Sequence, residues 1–203
     1  MIRSTSGLDM CFRLFSIIKI QASVIVLAFL IINLFFVSSN SYARVFISKD
    51  EALKLAFPGS DTIDKKSFFL KPEQIVAIEK LSKTKVDSKL FLLYIGKKDG
   101  QPTGYAAIDT HTVRTKSQTI LVVINPDGSL KYTEILAFFE PLEYKPTESW
   151  IDLFKDKKIT NGIKIGYDIP NISGATLSSN STANAVKKIL AIFEIVVKGA
   201  KKD

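Results

Sequence analysis

Ser117-Gln118-Thr119-Ile120-Leu121-Val122-Val123-Ile124-Asn125-Pro126-Asp127-Gly128-Ser129-Leu130 is the stretch on which the fold turns. Its first part, Ser117 to Asn125, is short, β-branched and bounded by polar residues, the pattern of a strand. Asn125-Pro126-Asp127-Gly128 combines residues that initiate a turn with one that tolerates positive φ. Ser129 to Phe139 then returns as the partner strand of a hairpin. Upstream, Leu90 to Ile95 and Gly104 to His111 are two more short β-rich runs.

Helical patterns flank these strands. Ser48-Lys49-Asp50-Glu51 has the form of a capping box, followed by Ala52, Leu53, Leu55, Ala56 and Phe57, and Phe57-Pro58-Gly59-Ser60 stops that helix. Pro72 suits a first helical position, with Ile75, Val76, Ile78 and Leu81 along the apolar side. Pro146 opens a third helix that buries Trp150, Leu153 and Phe154, and a polar segment runs from Lys155 to Gly166. From about Ser179 to Lys198, Ala183, Val186, Ile189, Leu190, Phe193 and Val197 recur at helical spacing. The order of elements predicts an α+β fold with a mainly antiparallel sheet and flanking helices.

The N-terminus predicts export. Arg3, Arg13 and Lys19 precede an apolar run from Ala22 to Val37, and Ser41 and Ala43 are small residues at −3 and −1 of a cleavage site. Residues 1–43 read as a signal peptide or an uncleaved membrane anchor. The run is about 16 residues, short of the roughly 20 that a spanning helix needs, which favours cleavage after Ala43. Residues 44–89 read as an N-terminal helical segment and residues 90–198 as the main domain. Cys11, the single cysteine of the chain, precedes the apolar run, so a mature chain has no disulfide, no thiolate nucleophile and no cysteine ligand for a metal.

Lysine and arginine number 28 against 20 acidic residues, a net charge of +8, which becomes +6 without residues 1–43. The lysines fall in scattered pairs, such as Lys65-Lys66, Lys97-Lys98 and Lys187-Lys188, and form no patch with interleaved aromatics. That distribution argues against nucleic acid as a partner and leaves acidic proteins or an anionic membrane surface. His111, the one histidine, reads as a hydrogen-bonded structural residue: no nucleophile or orienting carboxylate is evident for it, and one histidine makes a poor zinc site. Glu140 and Glu143 read as a rim of solvated carboxylates, and nothing in the chain carries a hydrolase signature.

Ser173-Gly174-Ala175-Thr176-Leu177-Ser178-Ser179 packs four hydroxyls and a glycine into the entry of the last helix. The plain reading is a cap, since serine, threonine and asparagine are preferred there. The same features suit a phosphate: free N–H groups and the positive end of the helix dipole, with Gly174 allowing close backbone approach. No Gly-Lys-Ser/Thr is present, which excludes a Walker-type loop.

This stretch resembles the Ser-Gly-Ala-Thr-x-Thr-Ser signature of the FMN-binding domain family, which includes the covalent flavoprotein subunits of the Rnf complex and the sodium-pumping NADH:quinone reductase. The hairpin over 104–139, the acidic loop Phe139-Glu140-Pro141-Leu142-Glu143-Tyr144 and the final helix follow in the family's order, and the resemblance covers about residues 90–195. It implies FMN as cofactor, with Thr176 esterified to the FMN phosphate by an FAD:protein FMN transferase. Ser173, Gly174 and Ala175 would shape the phosphate loop beside Leu177 and Ser178, and the ring system would lie near Glu140. The implied role is a non-enzymatic electron carrier outside the cytoplasmic membrane, exchanging electrons with a membrane or periplasmic redox partner.

The chain departs from the family pattern at one position, where an aspartate three residues before the serine is replaced by Pro170; the nearest aspartate is Asp168. Three arrangements follow: a bulged loop in which Asp168 serves, FMN held noncovalently, or a flavin-free interaction module whose loop only caps the last helix.

Overall fold

A computed structural model describes residues 44–199, which fall within one compact unit. The expected signal peptide or anchor over 1–43 lies outside the described residues. Six strands form one antiparallel sheet: β1 (Arg44–Val45), β2 (Thr62–Phe69), β3 (Leu90–Lys98), β4 (Gln101–Thr112), β5 (Ser117–Ile124) and β6 (Leu130–Phe138). Their order is β1-β6-β5-β4-β3-β2, so β2 to β6 form a meander and β1 closes on the far side of β6. Four α-helices accompany the sheet: α1 (Lys49–Ala56), α2 (Pro72–Ser82), α3 (Glu148–Ile151) and α4 (Thr176–Ile192). The fold is α+β, as the order of sequence patterns predicts.

Strand β5 explains why the opening stretch reads so clearly. Ile120, Val122 and Ile124 point to the face that carries α2 and α4, and Leu121 and Val123 point to the face that carries α1. Covered on both faces, a strand reads as a continuous apolar run. The turn after it is built from its own residues. Gly128 N–H donates to the Asn125 carbonyl (2.9 Å), Asp127 Oδ1 accepts from Ser129 N–H (3.0 Å), and Gly128 takes φ +89°.

The helices begin where their capping residues place them. Ser48 Oγ accepts the Glu51 N–H at 3.3 Å to start α1, and Pro72 opens α2, with Gln74 Oε1 accepting the Lys71 N–H at 2.9 Å. Residues 44–89, expected to be helical, hold both expected helices and also strands β1 and β2. The sequence reading passes over β2 because it is an exposed edge strand. Thr62-Ile63-Asp64-Lys65-Lys66-Ser67-Phe68-Phe69 has no clean apolar alternation, and it is the eight-residue ladder with β3 that makes it a strand.

Three further expectations are corrected by packing. Leu153 is exposed rather than buried, because residues 152–154 form a 3₁₀ turn that directs Phe154 inward instead. Val76 is exposed on α2 while Ile78 is buried. The polar segment after Lys155 is not wholly a surface loop, since Ile159 and Ile163 in it, with Ile169 just beyond, enter the main core. Among the described residues, no helix is long and apolar enough to cross a membrane.

Helix α4 crosses the sheet with Ala183, Val186, Ile189, Leu190, Phe193 and Val197 all buried, as the spacing predicts. It starts at Thr176, three residues before the expected Ser179, and runs on directly into a π-helical segment, Phe193–Lys198. Its N-terminal half is small and polar, and it is held to the sheet by hydrogen bonds rather than by apolar bulk. Gln118 Nε2 donates to Thr182 Oγ1 (2.9 Å), and Ser181 Oγ donates to the Thr112 carbonyl (3.3 Å). Those bonds set the start of α4 beside the turn between β4 and β5.

Candidate functional site

The start of α4 opens onto a cavity of about 180 Å³. One wall is the loop predicted from sequence, Gly174, Ala175, Thr176, Leu177 and Ser178. The other wall is Val113 and Arg114 from the turn after β4, with Glu140 and Tyr144 from the segment after β6. Six of the seven predicted site residues therefore come together, and the seventh, Ser173, lies outside the lining. Its exposed position makes it part of the turn that leads in, not of the wall.

The loop geometry follows from one glycine. Ala175 N–H donates to the Ile172 carbonyl (3.2 Å), closing a four-residue turn whose third position, Gly174, has φ +82°. That left-handed conformation is the reason for glycine. A Cβ at Gly174 would meet nothing within 4 Å, so close approach of backbone to its surroundings is not the constraint.

None of the four hydroxyls caps the helix. The residue at the cap position is Ala175, without a side-chain cap hydrogen bond. Thr176 Oγ1 donates back to the Ile172 carbonyl at 3.2 Å, and Ser179 Oγ donates to the Thr176 carbonyl at 3.0 Å. The first helical bond runs from Ser179 N–H to the Ala175 carbonyl, so the earlier amides of the first turn have no helical acceptor. No acidic side chain occupies that turn either. Acidic residues commonly offset the positive end of a helix dipole there, and here the position is left open to an external anion.

Glu140 is not a solvated rim carboxylate. It is only 4% exposed, and its Oε1 accepts the N–H groups of Thr115 (2.6 Å), Lys116 (2.8 Å) and Arg114 (3.3 Å), with a further bond from Thr115 Oγ1 (3.2 Å). The Thr115 amide, with those of Lys116 and Arg114, outweighs the cost of burial and holds the Glu140 carboxyl below its ordinary range. Three successive amides around one oxygen make an anion-binding nest that the protein fills itself. The bonds fix the turn that carries Val113 and Arg114. Glu143 is exposed, as expected.

Arg114 is the residue that sequence reasoning missed. It sits at the cavity wall, is exposed, and has no carboxylate within ion-pair distance among the described residues. Only its place opposite the loop gives it meaning, and no local pattern announces that. Asp168 is elsewhere: its Oδ2 accepts the Lys164 N–H at 2.9 Å within its own turn, and it does not line the cavity. Pro170, in the position of the usual aspartate, instead offers its carbonyl to Trp150 Nε1–H at 2.6 Å.

His111 is hydrogen-bonded, as predicted, but it does have an orienting carboxylate. Its Nδ1 lies 2.8 Å from Asp109 Oδ2, and Lys188 Nζ lies 3.0 Å from Asp109 Oδ1. Burial pushes the Asp109 carboxyl up, yet the His111 hydrogen bond and the Lys188 charge outweigh it and hold the group below its ordinary value. The spacing of two on one strand face could have shown this pair. It ties α4 to β4 away from the cavity wall.

Residues 114–191 match the family model described as FMN-binding domain. Over that stretch the chain is similar to FMN-binding domains. The match begins at Arg114, just after β4, and takes in Glu140, the whole loop 173–179 and nearly all of α4. No curated protein matches the chain. The match supports FMN as cofactor, and the donor set fits it: a helix N-terminus with no acidic side chain in its first turn, a guanidinium with no ion-pair partner among the described residues and an exposed hydroxyl share one cavity. Its volume is below the roughly 300–1,000 Å³ of pockets that enclose a whole ligand of that size. A cavity of that size would hold the phosphate end of the group rather than the whole of it.

Proposed function

We propose that this protein is an exported electron-transfer flavoprotein that carries FMN through a phosphoester on Thr176. The observation that carries the reading is the placement of Thr176: exposed, first residue of α4, and at the wall of a cavity that Arg114 also lines. Its hydroxyl is engaged only with the Ile172 carbonyl, a bond that rotation about χ1 gives up at small cost. An FAD:protein FMN transferase would supply the group. The Thr176 Oγ1–phosphorus bond forms, the pyrophosphate bond of FAD breaks, and AMP leaves with the bridging oxygen and the threonine proton.

The bound flavin supplies one- or two-electron transfer, and the protein binds and orients it. The role is that of a carrier between a membrane donor and a periplasmic acceptor, with no substrate chemistry of its own. Export rests on the basic leader, the apolar run and the small residues at 41 and 43. Cleavage after Ala43 would leave Arg44, the first residue of β1, at the start of the mature chain. The net positive charge favours docking on acidic partners or an anionic membrane surface, an effect on association rate more than on affinity.

Asp168 supports a second reading. With that carboxylate tied to Lys164 and Pro170 in the usual aspartate position, the loop lacks the acid that covalent targets in the family carry. FMN held noncovalently in the same cavity is then the alternative. Co-production with the transferase and a denaturing gel separate the two. A fluorescent band that maps to the Thr176 peptide, and disappears in Thr176→Ala, establishes the ester. A dark band from a yellow native protein establishes noncovalent binding. Protein that gives a dark band and is also colourless in its native state overturns the flavoprotein reading.

A further inference from the structure

We infer that Arg114 is the phosphate-recognition side chain of this site, and that Glu140 positions it by holding the turn on which it stands. The inference rests on the FMN reading above and adds the residue that selects a phosphorylated flavin over an unphosphorylated one.

An anion at the start of α4 needs more than a helix dipole if it is to be chosen over neutral ligands. The loop 173–179 contains no lysine or arginine. The basic residue that lines the cavity is Arg114, on the opposite wall. It has no ion-pair partner among the described residues, so its charge is not already neutralised. A guanidinium offers a planar fork of donors that matches phosphate oxygens two at a time.

Position is the second requirement, and Glu140 supplies it. A side chain on a free four-residue turn between two strands would sample many directions. Here the amides of 114, 115 and 116 converge on one buried carboxylate oxygen, so the backbone that bears Arg114 is fixed relative to β6. The polar seam from Gln118 to Thr182 and from Ser181 to Thr112 fixes the opposite wall against the same two strands. The two sides of the phosphate site are thus referenced to one rigid sheet. Glu140 lines the cavity too, but its Oε1 is already taken up by the amides of the turn. It is a positioning residue.

The test is made on the full chain, with FMN and riboflavin as probes. Binding of each is measured by flavin fluorescence in wild type, Arg114→Ala, Arg114→Lys and Glu140→Gln, and the initial rate of labelling by the transferase is measured from FAD. Wild type prefers FMN to riboflavin. Arg114→Ala lowers FMN affinity or labelling rate about tenfold or more while riboflavin binding is unchanged, and Arg114→Lys recovers part of the loss. Arg114 is exposed, so its variants keep the fold, which circular dichroism checks. Glu140→Gln narrows the preference for FMN over riboflavin in the fraction that remains folded, which a stability defect alone does not do. Equal preference in wild type and Arg114→Ala overturns the inference and leaves FMN binding standing. Wild type that takes neither flavin and accepts no label overturns both.

Discussion

Glu140 and Asp168 both tie down a turn by accepting backbone N–H groups, one inside the cavity wall and one on the surface. Glu140 reaches from the end of β6 across to the turn after β4, is 4% exposed, and gathers three amides from residues 24 to 26 positions away in sequence. Asp168 is exposed and accepts one amide, from Lys164, four residues earlier. The first contact closes a long loop and is screened from water, so it fixes tertiary geometry. The second is a local staple that solvent can replace. An acidic residue near the loop in sequence can therefore lie off the cavity, while one more remote in sequence builds its wall.

The largest expected effect separates the two carboxylates by stability. Glu140→Ala leaves the turn amides without their acceptor and should cost about 3 kcal/mol, since hydrogen bonds to a charged group are worth about 1.5–3 kcal/mol and their losses do not add fully. Urea unfolding followed by tryptophan fluorescence measures it. The same group gives a pH signature. Its folded carboxyl titrates below the ordinary value of 4.5, so its contribution is complete above that pH and is lost as pH falls through the lower folded value. Wild type should therefore lose stability faster than Glu140→Gln as pH falls below about 4.5. Parallel acid profiles for the two proteins would show that Glu140 does not hold the turn.

Next in size is the support under the loop itself. Trp150 stacks edge-on against Phe154 at 5.3 Å and donates to the Pro170 carbonyl at 2.6 Å. Trp150→Phe keeps most of the apolar area and removes that donor, at an expected cost of about 1–2 kcal/mol in thermal or urea unfolding. A smaller cost, about 1 kcal/mol, is expected for Gly174→Ala, because φ +82° strains any L-residue while the added methyl meets open space. A loss above about 3 kcal/mol there would mean that the loop is packed, not merely turned.

The sequence made the centre of the molecule legible and the edges less so. Strand β5 and the Asn125–Gly128 turn carry strong local signals, a doubly buried apolar run and a glycine at positive φ. The apolar stripe of α4 from Ala183 onward is equally plain. Its first two turns are not, because Thr176-Leu177-Ser178-Ser179-Asn180-Ser181-Thr182 has low helix propensity, and its last two residues are held by hydrogen bonds to Thr112 and Gln118. Strand β2 is hidden for the same reason in reverse: its lysines and aspartate read as loop, and pairing with β3 alone decides it. At the site, the motif located the loop from Gly174 to Ser178. Arg114 and the true role of Glu140 depend on contacts between distant strands, which no short pattern encodes.

The smallest expected effect is the one best placed to break the comparison. Asp168→Asn keeps an acceptor for the Lys164 N–H, so stability should change by less than about 0.5 kcal/mol, as for most surface substitutions. Labelling by the transferase should also be unchanged, because Asp168 does not line the cavity and its carboxylate faces its own turn. If labelling collapsed while the melting curve stayed the same, the carboxylate would have to leave Lys164 and reach the loop during modification. Asp168 would then be the functional acid, and the surface staple would be its resting position. Unchanged labelling in Asp168→Asn, beside loss of label in Thr176→Ala, would show that an FMN-binding loop can accept its flavin with proline in the aspartate position.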